Sequence, residues 1–149
     1  MREILFRGQR VDTKEWVYGL LWKKKYNHNK IFISYFPDED DHEDAVVVSS
    51  ETVGQFTGLT DKNGKRIFEG DVVKGEFLWS DIVGQVVWGE YSHSKCDEYS
   101  CEHYGLYVKP IREVKNNRYE NTGWDLYSMD MVEVIGNIHD NPELPEGDK

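Results

Sequence analysis

The stretch Phe56-Thr57-Gly58-Leu59-Thr60-Asp61-Lys62-Asn63-Gly64-Lys65-Arg66-Ile67-Phe68-Glu69-Gly70-Asp71-Val72-Val73 decides the fold class. Two short runs, Phe56 to Leu59 and Arg66 to Phe68, flank Asp61-Lys62-Asn63-Gly64-Lys65. Asn and Gly tolerate the positive φ that a tight connection between right-twisted strands requires, so a hairpin is predicted here. Glu69-Gly70-Asp71 predicts a second turn, with Gly70 serving backbone geometry. The Asp71 carboxylate is expected to cap that turn by accepting backbone N–H groups rather than to abstract a proton.

Outward from this hairpin the chain reads as short β-prone runs: Trp16 to Trp22, Ile31 to Phe36, Ala45 to Val48, Asp71 to Val73, Ile82 to Trp88, Tyr104 to Val108 and Met131 to Ile138. Trp16, Tyr18, Leu20 and Trp22 share one face at period two, as do Val86 and Trp88, which suits half-buried antiparallel strands. No segment keeps apolar residues at i, i+3, i+4 and i+7 for three turns. Only Trp124 to Met131 and Asn141-Pro142-Glu143-Leu144 invite a helical turn. The predicted fold is a single all-β, mainly antiparallel domain over residues 1–149. An SH3-like barrel core over about 58–138 follows N-terminal hairpins, and Met131 to Ile138 closes or covers it. The order of a Gly-Asp entry, a strand, a loop and the Gly84-Gln85-Val86 strand suggests the barrel, an architecture that hosts many unrelated functions.

The 149 residues include 18 Lys and Arg against 28 Asp and Glu, a net charge of −10, with 13% aromatics and two cysteines. No apolar run approaches the ~20 residues of a membrane-spanning helix, and Met1 to Arg7 lacks the apolar region of a signal peptide. Two cysteines are too few for a disulfide scaffold, so a soluble protein of a reducing cytoplasm is expected. Residues 76–149 carry −9 of the charge, yet the densest run is Asp38-Glu39-Asp40-Asp41-His42-Glu43-Asp44. Mutual repulsion makes that run a solvated loop.

The nineteen residues Gln55 to Val73 resemble the central signature of the YopX family of phage and prophage proteins. The opening Arg2-Glu3-Ile4-Leu5-Phe6-Arg7-Gly8 with Trp16-Val17-Tyr18, and the closing Val132 to Leu144, fit the same family in order. The resemblance implies a small, mostly β accessory protein encoded by a phage or prophage, with no catalytic residues to carry over. The expected role is non-enzymatic binding of a host or phage protein in the host cytoplasm, with a homo-oligomer admitted and no cofactor required. The acidic run at 38–44 and the segment from Ser92 to Glu102 depart from the shared pattern, and loops are where function varies.

Three constellations could carry chemistry. His93, Cys96, Cys101 and His103 offer four zinc-type donors within eleven residues, although the spacing is not that of a familiar finger and a polar loop, its two thiols able to pair under oxidation, is the favoured reading. Lys23, Lys24 and Lys25, beside Trp22 and Tyr26, could meet a phosphate backbone. The overall charge opposes that approach, and lysines at a hairpin tip also keep strand edges from pairing. Asp38, Glu39, Asp40 and Asp41 form an acidic face able to bind a protein, with Trp79 the exposed aromatic. The other tryptophans are expected to pack in the core. No phosphate-binding glycine loop, dinucleotide fingerprint, zinc-protease helix or nucleophile elbow is present.

Overall fold

The computed structural model describes residues 3–23, 30–35, 44–77, 80–92, 102–111 and 123–144. They form two compact units, Met1–Gly58 and Leu59–Lys149.

In the first unit the strands are β1 (Phe6–Gln9), β2 (Trp16–Lys23), β3 (Ile31–Tyr35), β4 (Asp44–Val48) and β5 (Gly54–Thr60), ordered β4-β3-β2-β1-β5 in one antiparallel sheet. β5 runs past Gly58 into the second unit. The stripe Trp16, Tyr18, Leu20, Trp22 does share a face, but its centre is outward, with Tyr18 47% and Leu20 51% exposed. The opposite face meets the fully buried Ile33, which stands across from Leu21. Glycines make room for it: a Cβ on Gly8 would lie 3.2 Å from Ile33 Cδ1, and one on Gly19 would lie 3.1 Å from Ile33 Cγ2. Ser49 N–H donates to the Gln9 carbonyl and Val11 N–H to that of Val47, which covers part of the β4 edge.

The second unit begins with the predicted hairpin, whose return strand is β6 (Arg66–Phe68). It continues with β7 (Asp71–Phe77), β8 (Ser80–Ser92), β9 (Glu102–Pro110), β10 (Trp124–Asp125) and β11 (Asp130–Asn137). These last five form an antiparallel sheet in the order β10-β9-β8-β7-β11. The sheet is open: β10 pairs only with β9 and β11 only with β7 among the described residues, so the strands do not make the closed SH3-like barrel expected. Met131 to Ile138 becomes an edge strand rather than a closing one. Its pairing with β7 slips between Asp130 and Glu133 and again between Val134 and Gly136, two bulges that blunt the edge.

The core of this unit gathers Ile67, Val73, Ile82, Val86, Leu106, Val108, Trp124, Leu126 and Met129. Ile82, Val86, Leu106 and Val108 come from one face of β8 and β9, as period-two strands dictate. Burying each such side chain is worth about 1.5–3 kcal/mol. The helical turn expected within Trp124 to Met131 is a single 3-10 turn, Leu126–Ser128, capped by Asp125 Oδ1 accepting from Tyr127 N–H at 3.1 Å. The turn expected at Asn141 to Leu144 closes with Leu144 N–H donating to the Asn141 carbonyl.

Candidate interaction surface

β8 is 13 residues long, but β7 pairs with it only from Ser80 to Gln85. Its remainder pairs with β9 in unbroken register, Trp88 opposite Leu106, Glu90 opposite Tyr104, Tyr91 opposite His103 and Ser92 opposite Glu102. A two-stranded ribbon thus extends from the five-stranded sheet. Residues directly opposite in an antiparallel pair point to the same side, and alternate residues of one strand share a side. One side therefore carries Trp88, Glu90, Glu102 and Tyr104; the other carries Tyr91, His103 and Tyr107.

On the second side three rings pack together, Tyr91 buried, Tyr107 half-buried and His103 exposed. Tyr91 stacks on His103 at 5.3 Å and on Tyr107 at 4.8 Å between ring centroids. Tyr107 stands opposite Val87, four positions from Tyr91, a separation of about 13 Å along a flat strand, so the two rings lean toward each other along the ribbon. Gly123 N–H donates to the Ser92 carbonyl at 3.2 Å and ties the end of β8 to the residue before β10. A Cβ at Gly123 would lie 2.2 Å from the Tyr107 ring, which reserves that position for glycine. Burial raises the Tyr91 hydroxyl above its ordinary pKa, with Asp125 adding to the effect, and burial alone raises that of Tyr107.

The first side faces out. Trp88 is 54% and Tyr104 74% exposed, packed edge to face at 5.8 Å. Trp88 lies on the core face of Ile82 and Val86 and directly opposite the buried Leu106, yet is itself left exposed, so the expectation that it packs in the core is corrected. Period two identified the face correctly. Which residues of that face are covered is a tertiary fact.

Around the Asp61 turn the carboxylates are engaged by backbone N–H groups and lysines. Asp61 Oδ1 accepts from Asn63 N–H at 2.8 Å and Lys65 N–H at 2.9 Å, while Oδ2 accepts from Val134 N–H of β11 at 3.1 Å. Lys62 N–H donates to the Val132 carbonyl at 2.8 Å. Burial opposes ionisation of Asp61, but the three N–H groups and the Lys65 charge outweigh it and hold the carboxyl below its usual range. Glu133 bridges Lys62 at 2.5 Å and Lys74 at 3.3 Å, and these hydrogen bonds lower its pKa. Asp71 Oδ2 accepts from Phe68 N–H at 2.8 Å, as the sequence predicted, and Gly64 and Gly70 have φ of 82° and 84°. Beside the turn lies an open groove of about 290 Å³, lined mainly by Leu59, Ile67, Leu126, Tyr127, Met129 and Met131.

Most residues singled out from sequence fall outside the described residues: Asp38, Glu39, Asp40, Asp41, Trp79, Lys24, Lys25, His93, Cys96 and Cys101. Lys23 ends β2, exposed and opposite Ile31. His103 lies on β9 in the ring stack just described. Among the described residues no three His, Cys, Asp or Glu side chains are placed to hold a metal ion, and no helix is long and apolar enough to cross a membrane.

The family model for the YopX protein matches residues 5–146. A crystal structure of protein EF1440 from Enterococcus faecalis is similar at a TM-score of 0.48 and 20% sequence identity, covering 97% of this chain and 99% of that one. No match is found among curated proteins.

Proposed function

The chain belongs to the YopX family, and from that premise we propose that it is a non-enzymatic protein-binding module, an accessory protein of a phage or prophage that acts in the host cytoplasm without a cofactor. The observation that carries this reading is the outward side of the β8–β9 ribbon, where Trp88 and Tyr104 stand exposed next to each other. Exposed large aromatics on a well-formed strand pair are characteristic of binding anchors, because they bury much area for little loss of rotamer freedom. A role without turnover is supported by the engagement of the buried carboxylates Asp61 and Asp71 with backbone N–H groups. The groove beside Asp61 is at the small end for a ligand site and mostly apolar.

Affinity capture from host cells tests the reading, using the full chain beside Trp88→Ser/Tyr104→Ser and Asp38→Ser/Glu39→Ser/Asp40→Ser/Asp41→Ser variants. A specific protein retained by the wild type and lost from the first variant is expected. Loss from the second variant alone would move the binding face to the acidic run. Identical captures by all three chains would refute a binding role for either surface.

A further inference from the structure

We infer that the outward side of the β8–β9 ribbon binds an arginine-bearing extended segment of another protein, an assignment that rests on the reading of this chain as a protein-binding module. The side presents two kinds of group together. Trp88 and Tyr104 offer aromatic surface, both more than half exposed beside their edge-to-face contact. Glu90, two positions from Trp88 and directly opposite Tyr104, and Glu102, two positions from Tyr104, place carboxylates on the same side, both exposed. Neither has a cationic partner among the ion pairs of the described residues. A planar cation satisfies both kinds of group at once, stacking on a ring while donating paired N–H groups to a carboxylate.

Arginine fits better than lysine, because its guanidinium is planar, weakly hydrated and forked, whereas an ammonium is a strongly hydrated point charge. The molecule builds the ring half of such a contact for itself elsewhere: the Arg7 guanidinium lies over the Trp16 ring at 4.7 Å, with Arg7 buried. The ribbon also sets the shape of the partner. Side chains alternate along Trp88, Glu90 and along Glu102, Tyr104, so an extended segment with cations at alternate positions matches the spacing. Charge decides between other occupants. A nucleic acid would bring phosphates onto Glu90 and Glu102, and a second copy of a chain with net charge −10 is repelled over the whole surface.

Calorimetric titration of the full chain with two capped nine-residue peptides, one alternating arginine and threonine and the other lysine and threonine, tests the assignment. The arginine peptide is expected to bind about tenfold more tightly than the lysine peptide. Glu90→Gln/Glu102→Gln should weaken binding and flatten its dependence on salt between about 50 and about 300 mM NaCl. Trp88→Ser/Tyr104→Ser should abolish the preference for arginine, with circular dichroism unchanged because both side chains are exposed. Equal affinity for the two peptides, no binding of either, or indifference to both variants would overturn the assignment. So would a dimer in sedimentation that Trp88→Ser disrupts, or a single-stranded oligonucleotide retained through Trp88 and Tyr104. If the peptides fail while capture from host cells still depends on Trp88 and Tyr104, this inference falls and the binding-module reading stands. If the capture fails as well, both fall.

Discussion

Asp61 joins a local turn to a distant strand through one carboxylate, and it illustrates what a single residue does in this molecule. Its bonds to Asn63 and Lys65 are legible in Asp-Lys-Asn-Gly-Lys, because an Asp at the head of a turn accepts N–H groups a few residues on. Its bond to Val134 spans 73 positions and was not legible. Asp61→Ala leaves three N–H groups without their acceptor and is expected to cost about 3 kcal/mol in urea unfolding, with Asp61→Asn costing about half as much. Because folding depresses the Asp61 pKa, its contribution is complete above the ordinary carboxylate value near 3.9 and is lost as pH falls through the lower, folded value. Acid unfolding of Asp61→Asn should therefore be less steep than that of the wild type, and identical slopes would show that Asp61 is not ionised in the fold. At Gly64 a Cβ would meet nothing within 4 Å, so Gly64→Ala isolates the strain of φ at 82° and should cost about 1 kcal/mol.

Among the elements, β8 and β11 each hold a position that the backbone constrains tightly. In β8 a Cβ on Gly84 would lie 2.3 Å from the Lys109 carbonyl oxygen and 2.6 Å from Val108 Cγ1. Backbone and core must both move to admit it. Gly84→Ala is expected to cost about 3 kcal/mol or more, well above Gly64→Ala, because here space rather than dihedral angle is the limit. Comparable urea midpoints for the two variants would contradict this. In β11 the first bulge places Met131 at φ of 51° with its side chain 62% exposed. Met131→Gly should raise stability by about 0.5 kcal/mol, and Met131→Ile should lower it by about 1 kcal/mol, since a β-branched residue tolerates that region least. Every strand run read from the sequence exists, yet the inward face of β2 was hidden. Gly8 and Gly19 occupy positions beside Ile33 where a hydrophobic pattern would look for bulk, while Tyr18 and Leu20 supply the bulk on the outward face.

At the scale of the whole molecule, charge and metal dependence are the testable properties. A chain of net charge −10 repels itself when compact, so raising NaCl from about 20 to about 300 mM should raise the thermal midpoint. A fall would mean that pairs such as Lys62 with Glu133 outweigh the repulsion. Of His93, Cys96, Cys101 and His103 only His103 lies among the described residues, and it is not a member of the apolar core of the second unit. Overnight EDTA is accordingly expected to move the thermal midpoint by no more than about 1 °C, whereas a larger drop, with zinc at one equivalent by elemental analysis, would restore the metal reading. The sequence by itself determined the all-β class, the strand runs, the Asp61 turn and the family, because turn chemistry and period two act over a few residues. Only the tertiary structure decided that the second sheet stays open, that Asp61 reaches Val134, and that Trp88 is left outside the core. Each of these depends on which distant segments meet and which residues of a face they cover, and local periodicity cannot encode either.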